Sequence, residues 1–371
     1  MSDPLVYLDY NATTPVAREV ADAMWPYLTE WFGNPSSATP QGVRARRGVD
    51  IARQQVAALI GADPDEIIFT SGGTESNNLA IRGTAALTAT KSILTSAIEH
   101  PATQAPVAHL RAEHGWAAHA VPVDGDARIS ADDLPSRPLG LGTVILAHNE
   151  VGTIQPIAEL AAAVHTAGGV MHTDAAQAVG KVPVDVGTLG VDLLSIAGHK
   201  LYAPKGVGAL YIRRGTALAP VLRGAGQENG IRPGTENVAS IVGLGAAAEL
   251  AADMLGSELT RQSELRERLW TQLANQIASL VRVSPRDDSL PNTLMVAVPN
   301  RIGAEILEAV QDVAASTGSA CHAGVHTPSE ALIAMGLSAD VALGALRLSL
   351  GRATTDADIM TAAAAIAAAA H

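Results

Sequence analysis

The stretch HTDAAQAVGKVPVDVGTLGVDLLSIAGHKLYAPKGVGALYI (residues 172–212) decides how this chain is read. It holds the end of one β-rich run, GGVMHTD (168–174), and two more, VDLLSI (191–196) and GALYI (208–212), divided by segments rich in glycine and small residues. Working outward, EIIFT (66–70), KSILTS (91–96) and GTVILAH (142–148) are runs of the same kind, and helix-period segments alternate with them from about residue 18 to residue 215. This alternation predicts an α/β fold with a mostly parallel sheet covered by helices on both faces. Ligands on such sheets sit beyond the carboxyl ends of the strands, so the residues that follow those ends carry the chemistry.

One apparent strand-loop-strand unit in residues 172–212 contains Asp174, Gln177, His199 and Lys200. A lone Asp or Lys is mostly a solvated surface charge. Here Lys200 sits among Gly198, Pro204, Gly206 and Gly208, and Asp174 closes the VMHTD run. An amine for a Schiff base, a carboxylate to keep a pyridine nitrogen protonated, and donors for a phenolate and a phosphate are what pyridoxal 5'-phosphate (PLP) requires. Asp174 is the candidate for the pyridine nitrogen.

The other strand ends admit two readings each. After EIIFT comes SGGTESNNLAI (71–81), where two glycines and Thr74 open a predicted helix. Its first amides suit a phosphate, and they equally suit an ordinary capped start. His100, beyond KSILTS, either stacks on or protonates a ligand, or caps a helix. Asn149, beyond GTVILAH, either hydrogen-bonds a substrate or cofactor oxygen, or is a turn residue.

The 371 residues suffice for one large and one smaller domain, with 47% hydrophobic and 17% charged residues marking a globular chain. A net charge of −12 argues against nucleic acid or an anionic membrane as a partner. MSDPLVYLDY does not read as a signal peptide, and no run reaches the roughly 18 apolar residues of a spanning helix, so a cytoplasmic address is expected. The alanine run near residue 361 reads as a closing helix.

Residues from about 235 to 280 read as a long helix joining two units. NTLMVAVP (292–299), a helix near 303–313, STGSACHAG (316–324) and ALRLSLGR (345–352) then form a second α/β unit. Cys321, the single cysteine, lies in a small-residue loop beside His322, which favours a reactive thiol over a buried structural one. With His326 it makes at most three ligands on one loop, short of a closed zinc sphere, and no metal is expected.

YLDYNATTP (7–15), GNPSS (33–37), IIFTSGGTESNNLAI (67–81), HTDAAQAVGK (172–181), AGHK (197–200), IRPGTENV (231–238), STGSAC (316–321) and LRLSLGR (346–352) occur in one order over nearly the whole chain. In these motifs the chain resembles the PLP-dependent cysteine desulfurases and selenocysteine lyases of the class V aminotransferase superfamily. The resemblance implies a fold-type I homodimer with a large domain (16–260), built on a mainly parallel seven-stranded sheet, and a small domain (1–15 and 261–371). It implies that Lys200 holds PLP, Asp174 pairs with the pyridine nitrogen, Gln177 faces the phenolate oxygen and His100 stacks on the ring. Gly73, Thr74 and His199 would bind the phosphate, with Thr235 reaching it from the partner subunit, and Arg347 would clamp the substrate carboxylate, helped by Asn149.

The implied reaction turns L-cysteine into L-alanine and leaves a persulfide on Cys321 for a protein sulfur acceptor, with Lys200 moving the Cα proton. The loop from Ser316 to Ser329 has the longer form seen in desulfurases that supply iron-sulfur scaffold or tRNA-thiolation proteins. Selenocysteine lyase is the alternative. An ordinary aminotransferase, or a catalytically silent PLP-fold partner protein, is disfavoured by Cys321, Lys200 and Asp174. The chain departs from the usual desulfurase pattern at Ala197, where a hydroxyl is common, at His148, and at Ala225 and Asn229 of RGAGQEN (223–229). A histidine often found after GNPSS is absent from ATPQG.

Overall fold

The computed structural model describes residues 5–317, 321–322 and 325–370, without the side chains of 321, 322 and 325. Its centre is a seven-stranded sheet in the order Ile67–Thr70, Gly208–Ile212, Leu193–Ala197, Val170–Asp174, Leu141–Ile145, Ser92–Ser96, Ala117–Val121. Gly208–Ile212 runs antiparallel to both its neighbours and the remaining strands are parallel to one another. Residues 172–212 thus hold parts of three strands and a short helix, Val186–Leu189, rather than one strand-loop-strand unit.

Leu141–Ile145 and Leu193–Ala197 are buried at every residue, which is why they appear as continuous apolar runs. Ala117–Val121 is the strand that the run-by-run reading passed over. It lies at the sheet edge, mostly exposed, and its AAHAV sequence lacks an apolar run.

Helix Pro40–Leu59 packs on the large core; Thr39 caps it by accepting from the Gly42 amide at 3.2 Å, and Pro40 supplies a first-turn residue with no amide to satisfy. The expected long helix spans Val238–Gln276, 39 residues or about 58 Å. One window within it has a mean hydropathy of 1.6, the composition of a membrane span, but Leu244, Ala247, Ala248 and Ala251 are buried in the large core. Gly245 permits this packing: a Cβ there would lie 2.5 Å from Ala52 Cα.

The far half of the same helix gives Leu265, Leu269 and Leu273 to a second core. That core covers a three-stranded antiparallel sheet, Ala345–Ser349, Thr293–Ala297 and Val281–Arg282, and is closed by the helix Asp356–Ala370. Val6–Tyr7 pairs in parallel with Val313–Ala314, and Val6 and Leu8 are buried with this second core. The helix expected near 303–313 therefore stops at Ala309, because the chain must extend to make that pairing.

The RGAGQEN departure has a local cause. Glu228 and Asn229 have left-handed backbones, φ +47° and +56°, which asparagine tolerates better than most residues. The turn drives Glu228 inward, where it accepts from Arg53 Nη1 at 2.9 Å, Arg53 Nη2 at 2.6 Å and the Phe69 amide at 2.8 Å. Removing one partner strands the other, so Glu228→Ala should cost about 3 kcal/mol, and Asn229→Arg about 1 kcal/mol through its backbone alone. Urea unfolding checks both; a Glu228→Ala loss below about 1 kcal/mol would mean that water replaces the carboxylate.

Candidate active site

The carboxyl ends of the parallel strands converge on a cavity of about 320 Å³, the size of a small-ligand site. Gly73, Thr74, His100, Asn149, Asp174, Gln177, His199, Lys200 and Arg347 all line it. Thr235 does not; it is exposed, outside this cavity.

Lys200 ends the tight turn Gly198–Lys200 that follows the strand Leu193–Ala197. Gly198 allows the turn, because a Cβ there would lie 2.8 Å from the Val207 carbonyl oxygen. The Lys200 amine donates to the carbonyls of Asn11 and, at 2.8 Å, Ala12. Burial and then the Arg347 cation lower its pKa to about 8, against the opposing pull of Asp9 and Asp174.

Asp174 ends the strand Val170–Asp174 and is 5% exposed. Its Oδ2 accepts from Asn77 Nδ2 at 2.6 Å and its Oδ1 from the Ala176 amide at 3.0 Å. Glu99 is buried nearby, accepting from Ser96 and, at 3.0 Å, the Ile145 amide through Oε1, while Oε2 has no partner among the described residues. Burial, with Asp174 adding to it, raises the Glu99 pKa to about 8, so at neutral pH Glu99 largely keeps its proton.

His100 is the N-cap of helix Pro101–His114, where its Nδ1 accepts from the Ala102 amide at 3.0 Å, and it also lines the cavity. That bond leaves the neutral ring's proton on Nε2. Burial lowers its pKa. His148 is likewise neutral, lowered to about 4 by burial, with Nδ1 accepting from the Val151 amide at 3.2 Å; it fixes the turn that carries Asn149. His199 contacts Thr13 Oγ1 through Nδ1 at 3.1 Å, and burial followed by Lys200 lowers it to about 4.

Arg347, on the strand Ala345–Ser349, donates to Asp9 Oδ1 at 2.7 Å and to the Asn149 carbonyl at 3.3 Å. Its Nε is buried with no hydrogen-bond partner among the described residues. Gly73 opens the helix Gly73–Ala85, and a Cβ on it would lie 3.3 Å from the Ala197 methyl, so position 197 faces the helix start without a hydroxyl. Arg232, in the IRPGTENV motif, holds Glu75 of that first turn at 2.9 Å.

Asn11, which sequence reading passed over inside YLDYNATTP, ties these groups together. Its amide donates to Ser349 Oγ at 2.9 Å, and its Nδ2 donates to Thr293 Oγ1 at 2.8 Å and the Asn149 carbonyl at 3.1 Å. Its Oδ1 accepts from Lys181 at 3.0 Å and Asn292 at 3.1 Å, while its carbonyl accepts from Lys200 and from Gln177 Nε2 at 2.9 Å. Asn77 and Glu99 were missed as well; ESNN and AIEH carry them, but only tertiary contact reveals their roles.

Cys321 enters through its backbone alone: Cys321–His322 pairs antiparallel with Val325–His326, and its side chain lies outside the described residues. Both ends of the surrounding loop are anchored on the cavity rim. Ser316 pairs with Arg347 through its backbone, at 2.6 Å from the Arg347 amide, and Ser329 Oγ donates to Glu150 at 2.6 Å beside Asn149. Among the described residues no cluster of three His, Cys, Asp or Glu could hold a metal.

The aminotransferase class-V family model matches residues 6–361. A cysteine desulfurase IscS of Dictyoglomus turgidum is 45% identical over 362 residues, covering 95% of this chain and 91% of that protein. A cysteine desulfurase NifS of Azotobacter vinelandii is 44% identical over 361 residues, covering 95% and 90%. A solved NifS-like protein superposes with a TM-score of 0.91 at 34% identity over 98% of both chains.

The depressed Lys200 pKa gives a direct test. Protein freed of cofactor should react with trinitrobenzenesulfonate at Lys200 with a rate that rises as pH passes about 8, as the amine loses its proton. Peptide mapping across a pH series checks this. A midpoint near the ordinary lysine value of about 10.4 would refute the electrostatic account.

Proposed function

The chain belongs to the class V aminotransferase family, and we propose that it is a PLP-dependent cysteine desulfurase that converts L-cysteine to L-alanine and carries the sulfur on Cys321. The observation that carries this reading is the cavity in which Lys200, Asp174, His100 and Arg347 meet, with the Cys321 loop tied to its rim at Ser316 and Ser329.

The residues fit the cofactor. Asp174 is a buried carboxyl group placed to pair with a pyridinium, His100 is a ring at the cavity wall whose pKa burial lowers, and the start of the helix Gly73–Ala85 with His199 suits a phosphate. Lys200 is the amine for the Schiff base, and Gln177 faces the phenolate oxygen. When bound, PLP supplies an electron sink for bonds at the substrate's α-carbon.

The chain's own groups do the rest. Arg347 binds the substrate carboxylate, which replaces Asp9 as its partner or joins it through the free Nε. At pH 7.5 a pKa of about 8 leaves roughly a quarter of Lys200 neutral, which makes it a competent base for the Cα proton. The Cys321 thiolate attacks the substrate sulfur: an S–S bond forms, the C–S bond breaks, and its electron pair stays with carbon, which takes a proton to become the alanine methyl group. The persulfide then passes to a protein acceptor, with iron-sulfur cluster assembly as the expected use.

We read the enzyme as a cytoplasmic homodimer. Thr235, exposed and not among the residues lining its own cavity, would serve the site of the other subunit, and Trp25 (63% exposed), Leu28 and Phe32 (73%) offer apolar surface for the contact. Light scattering on the purified holoenzyme tests the dimer.

Purified protein should release alanine from cysteine, and mass spectrometry should find a persulfide on Cys321. Cys321→Ala should bind cysteine and stall, while Lys200→Ala should lose at least about 10³-fold in kcat. Desulfuration of cysteine at the wild-type rate by Cys321→Ala would refute the nucleophile. Alanine release from selenocysteine alone by the wild type would turn the reading to the lyase.

A further inference from the structure

Lys181 is the interior cation that the reaction leaves unused. Although the residue as a whole is only partly buried, its amine is enclosed beside Lys200. Burial, then the Lys200 and Arg347 cations, hold its pKa well below the ordinary lysine value. Its N–H donors meet two acceptors, Gln177 Oε1 at 2.6 Å and Asn11 Oδ1 at 3.0 Å.

The consequence falls on Gln177, which is 4% exposed and lines the cavity. Its Nε2 donates to the Asn11 carbonyl at 2.9 Å while its Oε1 accepts from Lys181. A flipped amide would set its NH₂ against the Lys181 N–H and its oxygen against the Asn11 carbonyl, losing both bonds and leaving two like-group clashes. In this orientation Oε1 is directed at Lys181, and the second Nε2–H is the donor that Gln177 can turn to the cavity.

We propose that Lys181 is a positioning residue that, together with Asn11, locks the Gln177 amide so that an N–H rather than the carbonyl is offered to the cofactor's phenolate oxygen. This rests on the reading that Gln177 faces that oxygen. Lys181 touches neither cofactor nor substrate and acts through Gln177 alone.

The test is the pH titration of the visible absorbance band of the PLP-loaded protein. A donor on the phenolate lowers the midpoint, so Gln177→Ala should raise it by about one pH unit, the size of one hydrogen bond to a charged group. Lys181→Met should raise it similarly, and the double variant no further than either single one. Lys181→Gln, which keeps an N–H donor, should return the midpoint to the wild-type value. An unmoved midpoint in Lys181→Met beside a shifted one in Gln177→Ala overturns the proposal alone. So do additive shifts in the double variant, or a midpoint that stays raised in Lys181→Gln. An unmoved midpoint in Gln177→Ala removes the phenolate reading and the proposal with it.

Discussion

The saturation of Asn11 is the constraint on which the site depends. Its amide, both Nδ2 hydrogens, both Oδ1 lone pairs and both carbonyl lone pairs are engaged, in a residue 1% exposed. Lys200, Gln177, Lys181 and Asn149 approach from the seven-stranded sheet, and Asn292, Thr293 and Ser349 from the second unit. A buried polar network that is fully matched has one low-energy arrangement, because any shift leaves a group unpaired in a low-dielectric interior. Arg347 and Lys200 come from different units, and Asn11 bonds Lys200 directly and shares the Asn149 carbonyl with Arg347.

Electrostatics inside the cavity follow from burial first and like charge second. Burial lowers the proton affinity of Lys200 and Lys181, and the Arg347 cation lowers both further, with Lys200 adding to the effect on Lys181. On the acidic side, burial and the neighbouring Asp174 raise Glu99, whose Oε2 has no donor among the described residues, whereas Asp174 accepts from Asn77 and the Ala176 amide. The cavity thus gathers a doubly hydrogen-bonded carboxyl group, a histidine whose pKa burial lowers and an amine of pKa about 8 before any ligand arrives.

Much of this was legible in the sequence because central strands of a parallel sheet are apolar on both faces and their ends carry the unusual residues. Asp174, Lys200, Asn149 and His100 each follow such a run, and the motif order gave the family. The edge strand Ala117–Val121 was not legible, since half-exposed edges are free of the apolar pattern. Nor were Asn11, Asn77 and Glu99: the partners of Asn11 lie 138 to 338 residues away, and the state of Glu99 is decided by its burial in the folded chain. Position 229 was visible as a departure, but its cause is a left-handed turn that composition does not reveal.

The helix Val238–Gln276 is a beam shared by two cores. Its first half is clamped between sheet-covering helices and its second half forms the floor under the smaller sheet, so no point along its 39 residues belongs to a flexible linker. Rotation of one unit against the other would have to bend that beam rather than swing on a hinge, and bending a helix stretches hydrogen bonds along its length.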